Sequence, residues 1–251
     1  MSDPPTVLYQ HKRADAQLLE WDMTMHASAI RAAVCSIEGK LERRPTLPSM
    51  YGKEAHMQRN HAFFCAPGAS HGYFFSKQLA AAQAITEPLQ HILDIVNSAL
   101  GADFNGILVN EYEGGDDYIS DHRDDEVGLS ARAGVLTLSW GAERTLRIKE
   151  WDAAKNRPRT KGEGGWVHEA RTRSCHALHM RGAHFQKVLS HGIPKEKCHG
   201  RRVSFTFRVH DKSTEQPMYE RWLRARKKRS RSDAEPEPEP EPEPERVSRQ
   251  P

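Results

Sequence analysis

The 251-residue sequence has no uncharged apolar stretch approaching 18 residues, which excludes a membrane-spanning helix. Cysteine is scarce. Four residues (Cys35, Cys65, Cys175, Cys198) do not make a disulfide framework in a chain this long, so a reducing compartment is expected. The N-terminus, MSDPPTVLYQ, lacks the apolar segment behind a basic start that a secretory signal requires. Net charge is only +3, too small to establish a nucleic-acid partner. That sum hides two opposed blocks. RARKKRSR (224–231) holds six basic side chains in eight positions, and residues 235–245 alternate Glu and Pro. The Glu-Pro run has no apolar side chain to bury and is expected to be an extended tail whose partner is unreadable.

What is present is enough chain for a core, with 37% hydrophobic residues. Residues 1–15 are polar and expected to be loose. Leu18, Leu19, Met25, Ile30 and Val34 allow one or two short helices between residues 15 and 34. RRPTLPSMYG (43–52) reads as extended or coiled, and AFFCAPGASHGYFFS (62–76) as two aromatic strands around a Pro-Gly turn. Thr86, Pro88 and the repeat Leu89, Ile92, Leu93, Val96, Leu100 predict a helix that Gly101 ends.

The period then changes to two. Residues 104–112, 134–140, 144–151, 175–180, 187–193 and 202–210 read as strands, with a flexible excursion at 151–165. Residues 219–231 are expected to start as helix. The expected fold class is mainly β with flanking helices, and the expected divisions are 1–42, 43–101, 102–212 and 213–251.

The sharpest chemical feature is HRDDE (122–126). His122 and Asp124 are two apart and, on a strand or at its end, can face one metal. His191, in LSHGIP, is the best third ligand. Two imidazoles and one carboxylate leave positions open on Fe(II) for a cosubstrate and dioxygen. Arg202 and Arg208 flank VSFTF at an even separation, so both guanidiniums share one face while Val203, Phe205 and Phe207 take the other. Two arginines turned inward need an anion, and a dicarboxylic acid would supply it. Asn110 and Tyr112, again two apart, offer an amide and a phenol to the same acid.

The run N-E-Y-x-G-G-x-D-x-I-x-x-H-R-D-D-E (110–126), with S-H-G-I-P (190–194) and R-x-S-F-T-F-R (202–208), resembles the AlkB family of Fe(II)/2-oxoglutarate dioxygenases, and most closely its DNA-repair members. The resemblance covers roughly residues 43–210. It implies a double-stranded β-helix, or jelly roll, with an N-terminal substrate lid, and residues 43–101 are expected to hold that lid and a supporting helix. It implies His122, Asp124 and His191 as iron ligands and catalytic centre, and Asn110, Tyr112, Arg202 and Arg208 as 2-oxoglutarate contacts. It places Phe75 as the ring that stacks on a flipped base, Tyr73 beside it, and Tyr51 as a lid tyrosine. Asp125 falls near the exocyclic group of the base, and Glu126 braces its loop.

The implied reaction is oxidative N-demethylation of bases such as 1-methyladenine and 3-methylcytosine in DNA. It consumes 2-oxoglutarate and O2, and releases formaldehyde, succinate and CO2. RNA is the alternative substrate, and a catalytically silent nucleic-acid-binding module is the alternative of another class. The chain is expected to be a monomer that does not bind membranes. The basic run reads as a nuclear import signal in a eukaryote or as a phosphate grip, with a cytoplasmic location otherwise.

Several residues also have plain readings. Phe63 and Phe64 read as core. Arg43, Arg44, Lys53, Arg59, Arg123 and Arg132 are phosphate contacts or ordinary solvated charges. A zinc site drawn from Cys175, His176, His179, His184, Cys198 and His199 has no standard finger spacing.

Overall fold

The computed structural model describes residues 4–50, 53–75 and 78–232. Two compact units divide at Gln216/Pro217. Two sheets and two helices make up most of the first.

The larger sheet runs in the order Thr6–Gln10, Gln17–Asp22, His176–Arg181, Val135–Gly141, Arg202–His210, Gly106–Tyr112, Asn60–Cys65, Gln78–Ala84, Gly72–Phe75. Leu129–Ser130 adds a short tenth strand beside the end of Arg202–His210. The smaller sheet runs Arg157–Pro158, Thr145–Asp152, Leu189–Ile193, Ile119–His122, with Trp166–Arg171 also on Thr145–Asp152. Thr46–Met50 and Lys53–His56 form a separate ribbon.

This arrangement corrects the jelly-roll expectation. Among the described residues, the end strands Thr6–Gln10 and Gly72–Phe75 do not pair with each other, and the two main sheets share no ladder. The fold is mixed and mainly β, with open sheets and no curled, closed barrel. The alternating pattern reports which face of a strand is buried. It carries no information on whether the outermost strands find one another.

The helices Ala27–Ser36 and Glu87–Leu100 cover one face of the larger sheet. Thr86 caps the second, its hydroxyl accepting from the Leu89 N–H, and Gly101 ends it at φ +59, a left-handed conformation that costs glycine little. Ile30, Val34, Leu89, Ile92 and Val96 pack on Ile107, Val109, Leu136, Val203, Phe205 and Phe207. Each such buried side chain contributes about 1.5–3 kcal/mol. A second core lies between the sheets, with Leu18, Tyr112, Val135, Leu146, Ile148, Leu178 and Leu189. Phe63 and Phe64 are fully buried, as their context suggested.

Local differences from the sequence reading have physical causes. Residues Thr6–Gln10, expected loose, pair with Gln17–Asp22 and extend the sheet. Leu18 and Leu19 sit on that strand and not on a helix, because ladder partners on His176–Arg181 outweigh a helical spacing. The 151–165 excursion is a hairpin, tied by Lys155 and Arg157 to Glu163. The 187–193 segment opens with a helical turn, Phe185–Val188, before Leu189–Ile193 becomes strand.

The helix Lys212–Ser232 crosses the unit boundary at Pro217, which has no N–H to give the helical ladder. In the second unit Tyr219 stacks on Trp222 at 6.2 Å, and the Arg226 guanidinium lies 5.4 Å from the Trp222 ring. Among the described residues no helix is long and apolar enough to cross a membrane.

Candidate active site

A cavity of about 310 Å³ opens against the larger sheet and is walled by the smaller one. Alternation on Arg202–His210 builds its floor. Arg202, Ser204, Thr206 and Arg208 line it, while the intervening apolar side chains face the helices. Asn110 and Tyr112 come from the neighbouring strand, whose register pairs Tyr112 with Arg202 and Asn110 with Ser204.

One strand pair brings the candidate metal donors together. His122 ends Ile119–His122 and lies directly opposite His191 in the antiparallel ladder, so the two rings stand 4.3 Å apart. Asp124 follows in the loop. Its Oδ1 lies 3.7 Å from His122 Nε2 and its Oδ2 3.5 Å from His191 Nε2. Among the described residues this is the one cluster of three or more metal-type donors, so the Cys175–His199 alternative has no site.

Protonation suits the donors to metal. His122 Nδ1 lies 2.8 Å from the Ser120 carbonyl, which can only accept, so Nδ1 carries the proton and Nε2 keeps its lone pair. Burial, reinforced by His122, pushes the His191 imidazole down to about 3, and burial lowers His122 as well. Burial alone would raise the Asp124 carboxyl. The charged Arg208 guanidinium, which also hydrogen-bonds to it, outweighs burial and holds the group well below the usual carboxylate range. Arg208 Nη2 donates to Asp124 Oδ1 at 2.8 Å, and the Asp124 N–H donates to Gln186 Oε1 at 2.9 Å. Asp124 Oδ2 is buried with no hydrogen-bond partner. Two neutral imidazoles and one orphaned, ionised carboxylate oxygen fit a divalent iron.

Two cavity arginines also have nitrogens without partners among the described residues. Arg202 is 2% exposed, donates through Nη2 to the Ser139 hydroxyl at 3.0 Å, and has its guanidinium 5.1 Å from the Tyr112 ring. No carboxylate among the described residues pairs with it, and its Nε has no partner. Arg208 Nε and Nη1 are likewise unpartnered. Arg144, also buried, is by contrast fully engaged by the carbonyls of Gly114, Asp117 and Pro194 and by Glu196.

Tyr73 and Phe75 share the cavity face of Gly72–Phe75, their rings stacked at 5.9 Å. The Tyr73 hydroxyl donates to Glu126 Oε1 at 3.0 Å, and Arg208 lies 4.9 Å from its ring. Burial, then the charge of Asp124, pushes the Glu126 carboxyl up to about 7. Asp125 is more exposed and ion-pairs with Arg123, whose guanidinium lies 4.2 Å from the Trp151 ring. Tyr51 lies outside the described residues. Arg43 and Arg44 are engaged by Glu113 and Asp117.

Two more residues line the cavity: Arg59, read from the sequence as a phosphate contact or a solvated charge, and His61, which sequence reasoning passed over. Arg59 points inward and its Nε donates to Asn110 Oδ1 at 2.8 Å. His61 lies across the ladder from Asn110, edge-on to Phe75 at 5.3 Å. Their two-residue spacing at the start of a strand was the available signal.

Burial, with Arg59 nearby, holds the His61 imidazole down at about 4. Its unfolded value is about 6.5. The unfolded chain therefore takes the proton first, so this contribution to stability is complete above about pH 6.5 and is lost as pH falls toward 4. Thermal midpoints should drop over that range, and His61→Phe should flatten part of the slope. An unchanged slope would assign the loss to other groups.

Residues 25–208 match the 2OG-Fe(II) oxygenase superfamily. The chain is 31% identical over 136 residues to the DNA oxidative demethylase ALKBH2 of Arabidopsis thaliana, covering 49% of this chain and 43% of that protein. It is 32% identical over 133 residues to the alpha-ketoglutarate-dependent dioxygenase alkB homolog 3 of Rattus norvegicus, covering 49% and 43%. The chain thus spans under half the length of these two relatives. The solved structure of OsALKBH1 aligns with a TM-score of 0.48 at 14% identity, over 79% of this chain and 100% of that one.

Proposed function

Because the chain belongs to the AlkB family within the 2OG-Fe(II) oxygenase superfamily, we propose that it oxidatively removes methyl groups from alkylated bases in DNA, 1-methyladenine and 3-methylcytosine among them. Formaldehyde, succinate and CO2 are the other products. The observation that carries this reading is an intact His122–Asp124–His191 cluster beside a cavity whose wall also holds a buried Arg202 with no carboxylate partner among the described residues.

His122, Asp124 and His191 would hold Fe(II), which when bound would supply the oxidising chemistry. The protein does the rest. Burial keeps both imidazoles unprotonated, and Arg208 keeps Asp124 ionised. Arg202, with Asn110 and Tyr112, takes the far carboxylate of 2-oxoglutarate. A base cannot reach this cavity from inside a duplex and enters single-stranded or flipped. Phe75 and the His122 ring flank it, and Tyr73 and Glu126 close one side. Asp125 reaches the exocyclic group only by releasing Arg123.

The test is formaldehyde release from matched 1-methyladenine and 3-methylcytosine oligomers, deoxy and ribo, single-stranded and duplex, with Fe(II), 2-oxoglutarate and ascorbate. Release from the deoxy set supports the reading. Release from the ribo set alone makes the protein an RNA demethylase, and no release from any oligomer leaves a silent binding module. Stacking of a base on an aromatic ring is worth about 1–3 kcal/mol. Phe75→Ala should therefore raise KM for the methylated oligomer about tenfold and leave the 2-oxoglutarate requirement unchanged. Equal effects on both, or none, would return Phe75 to a packing role.

A further inference from the structure

The superfamily match ends at residue 208, yet the next eight residues of the same unit reach back to the substrate wall. Asp211 starts the Lys212–Ser232 helix by accepting from the N–H of Ser213 (3.0 Å) and the hydroxyls of Ser213 and Thr214 (2.6 and 2.7 Å). One turn in, Glu215 is 2% exposed and turned inward. Its carboxylate accepts from the Ser70 hydroxyl at 2.8 Å and from the His71 N–H at 3.0 Å, and His210 Nδ1 lies 3.2 Å away.

The same side chain packs on the other half of the wall. Gly128 has φ +93, and a Cβ there would lie 2.2 Å from Glu215 Cγ. The Asp211 N–H donates to the Gly128 carbonyl at 2.8 Å. Ser70 lies three residues before Tyr73, and Gly128 two residues after Glu126. Tyr73 and Glu126 are themselves hydrogen-bonded to each other in the cavity.

We propose that Glu215 is a positioning residue for the substrate. It sets the strand carrying Tyr73 and Phe75 against the loop carrying Glu126, without touching the cavity itself. The inference rests on the reading of that cavity as a base-binding site. Four of the iron and 2-oxoglutarate residues, His122, His191, Asn110 and Arg202, are fixed by sheet ladders that Glu215 does not join.

The test uses the full chain with Fe(II). Loss of a buried hydrogen-bonded carboxylate should matter about tenfold. Glu215→Ala is expected to raise KM for a 1-methyladenine oligomer about tenfold, with the 2-oxoglutarate requirement within about twofold of the parent. Glu215→Gln, which keeps an acceptor for Ser70 and His71, should recover most of the loss. Ser70→Ala, which leaves the carboxylate in place, should move KM the same way by a smaller factor.

Hydrogen exchange reads the same device without turnover. Residues 70–75 and 126–129 should exchange faster in Glu215→Ala, with 189–193 unchanged. A fall in kcat with KM unchanged, or faster exchange confined to 211–220, would overturn the proposal. If the parent releases no formaldehyde but exchange changes in both wall segments, the positioning role stands and the demethylase reading fails.

Discussion

Asp124→Ala is expected to abolish turnover, to less than about 1% of the parent, through loss of iron. Asp124 supplies the single carboxylate in the donor cluster, and its Oδ2 is buried with no other partner. Removing it leaves two neutral imidazoles, a set too weak to hold Fe(II) at ordinary concentrations. The same change strips Arg208 of the carboxylate it holds at 2.8 Å and leaves a cation buried and unpaired. Breaking a buried pair from one side costs about 3–5 kcal/mol. The metal-free variant should therefore also melt earlier than the metal-free parent. Iron content, formaldehyde release and melting are the three measurements. Full activity with iron retained would remove Asp124 from the ligand set.

The second large effect is expected from Arg202→Ala. Charge-assisted, bidentate bonds to a carboxylate are strong in a dry site, so the 2-oxoglutarate requirement should rise about a hundredfold, equivalent to about 3 kcal/mol. The kcat at saturating cosubstrate should change far less. Stability separates this role from a structural one. Arg202 is buried with no carboxylate partner among the described residues, and burial lowers its affinity for the proton. A cation in that state costs the folded protein energy, so its removal should leave the melting temperature level or raise it. Arg144, with every donor engaged, makes the control: Arg144→Ala should lower the melting temperature sharply. An unchanged 2-oxoglutarate requirement in Arg202→Ala would end its assignment as the anion anchor.

Much of the site was legible along the chain because its chemistry is carried at short spacing. His122 and Asp124 are two apart, Arg202 and Arg208 alternate with the phenylalanines they oppose, and a strand's period of two puts each set on one face. The helix at 87–100 was legible for the same local reason, with a threonine cap, a first-turn proline and a terminal glycine.

What spacing does not encode is pairing between distant segments. Among the described residues the sheets stay open because strands at the two ends of the ladder, Thr6–Gln10 and Gly72–Phe75, find no shared partner, and no periodicity reports that. Arg59 reads as a surface cation until the strand order turns it onto Asn110. Asp125 reads as a base contact until Arg123 is seen beside it. Glu215 reads as one more charge on a polar helix until the fold closes it over Ser70 and Gly128.

The sequence by itself determined the spacing of the candidate donors and the face each strand residue would take, since those follow from the geometry of a single strand. The tertiary structure alone decided which strands meet, which charges are neutralised by neighbours and which are left bare for an anion or a metal. Burial and long-range pairing set those outcomes, and both arise only when the chain is folded.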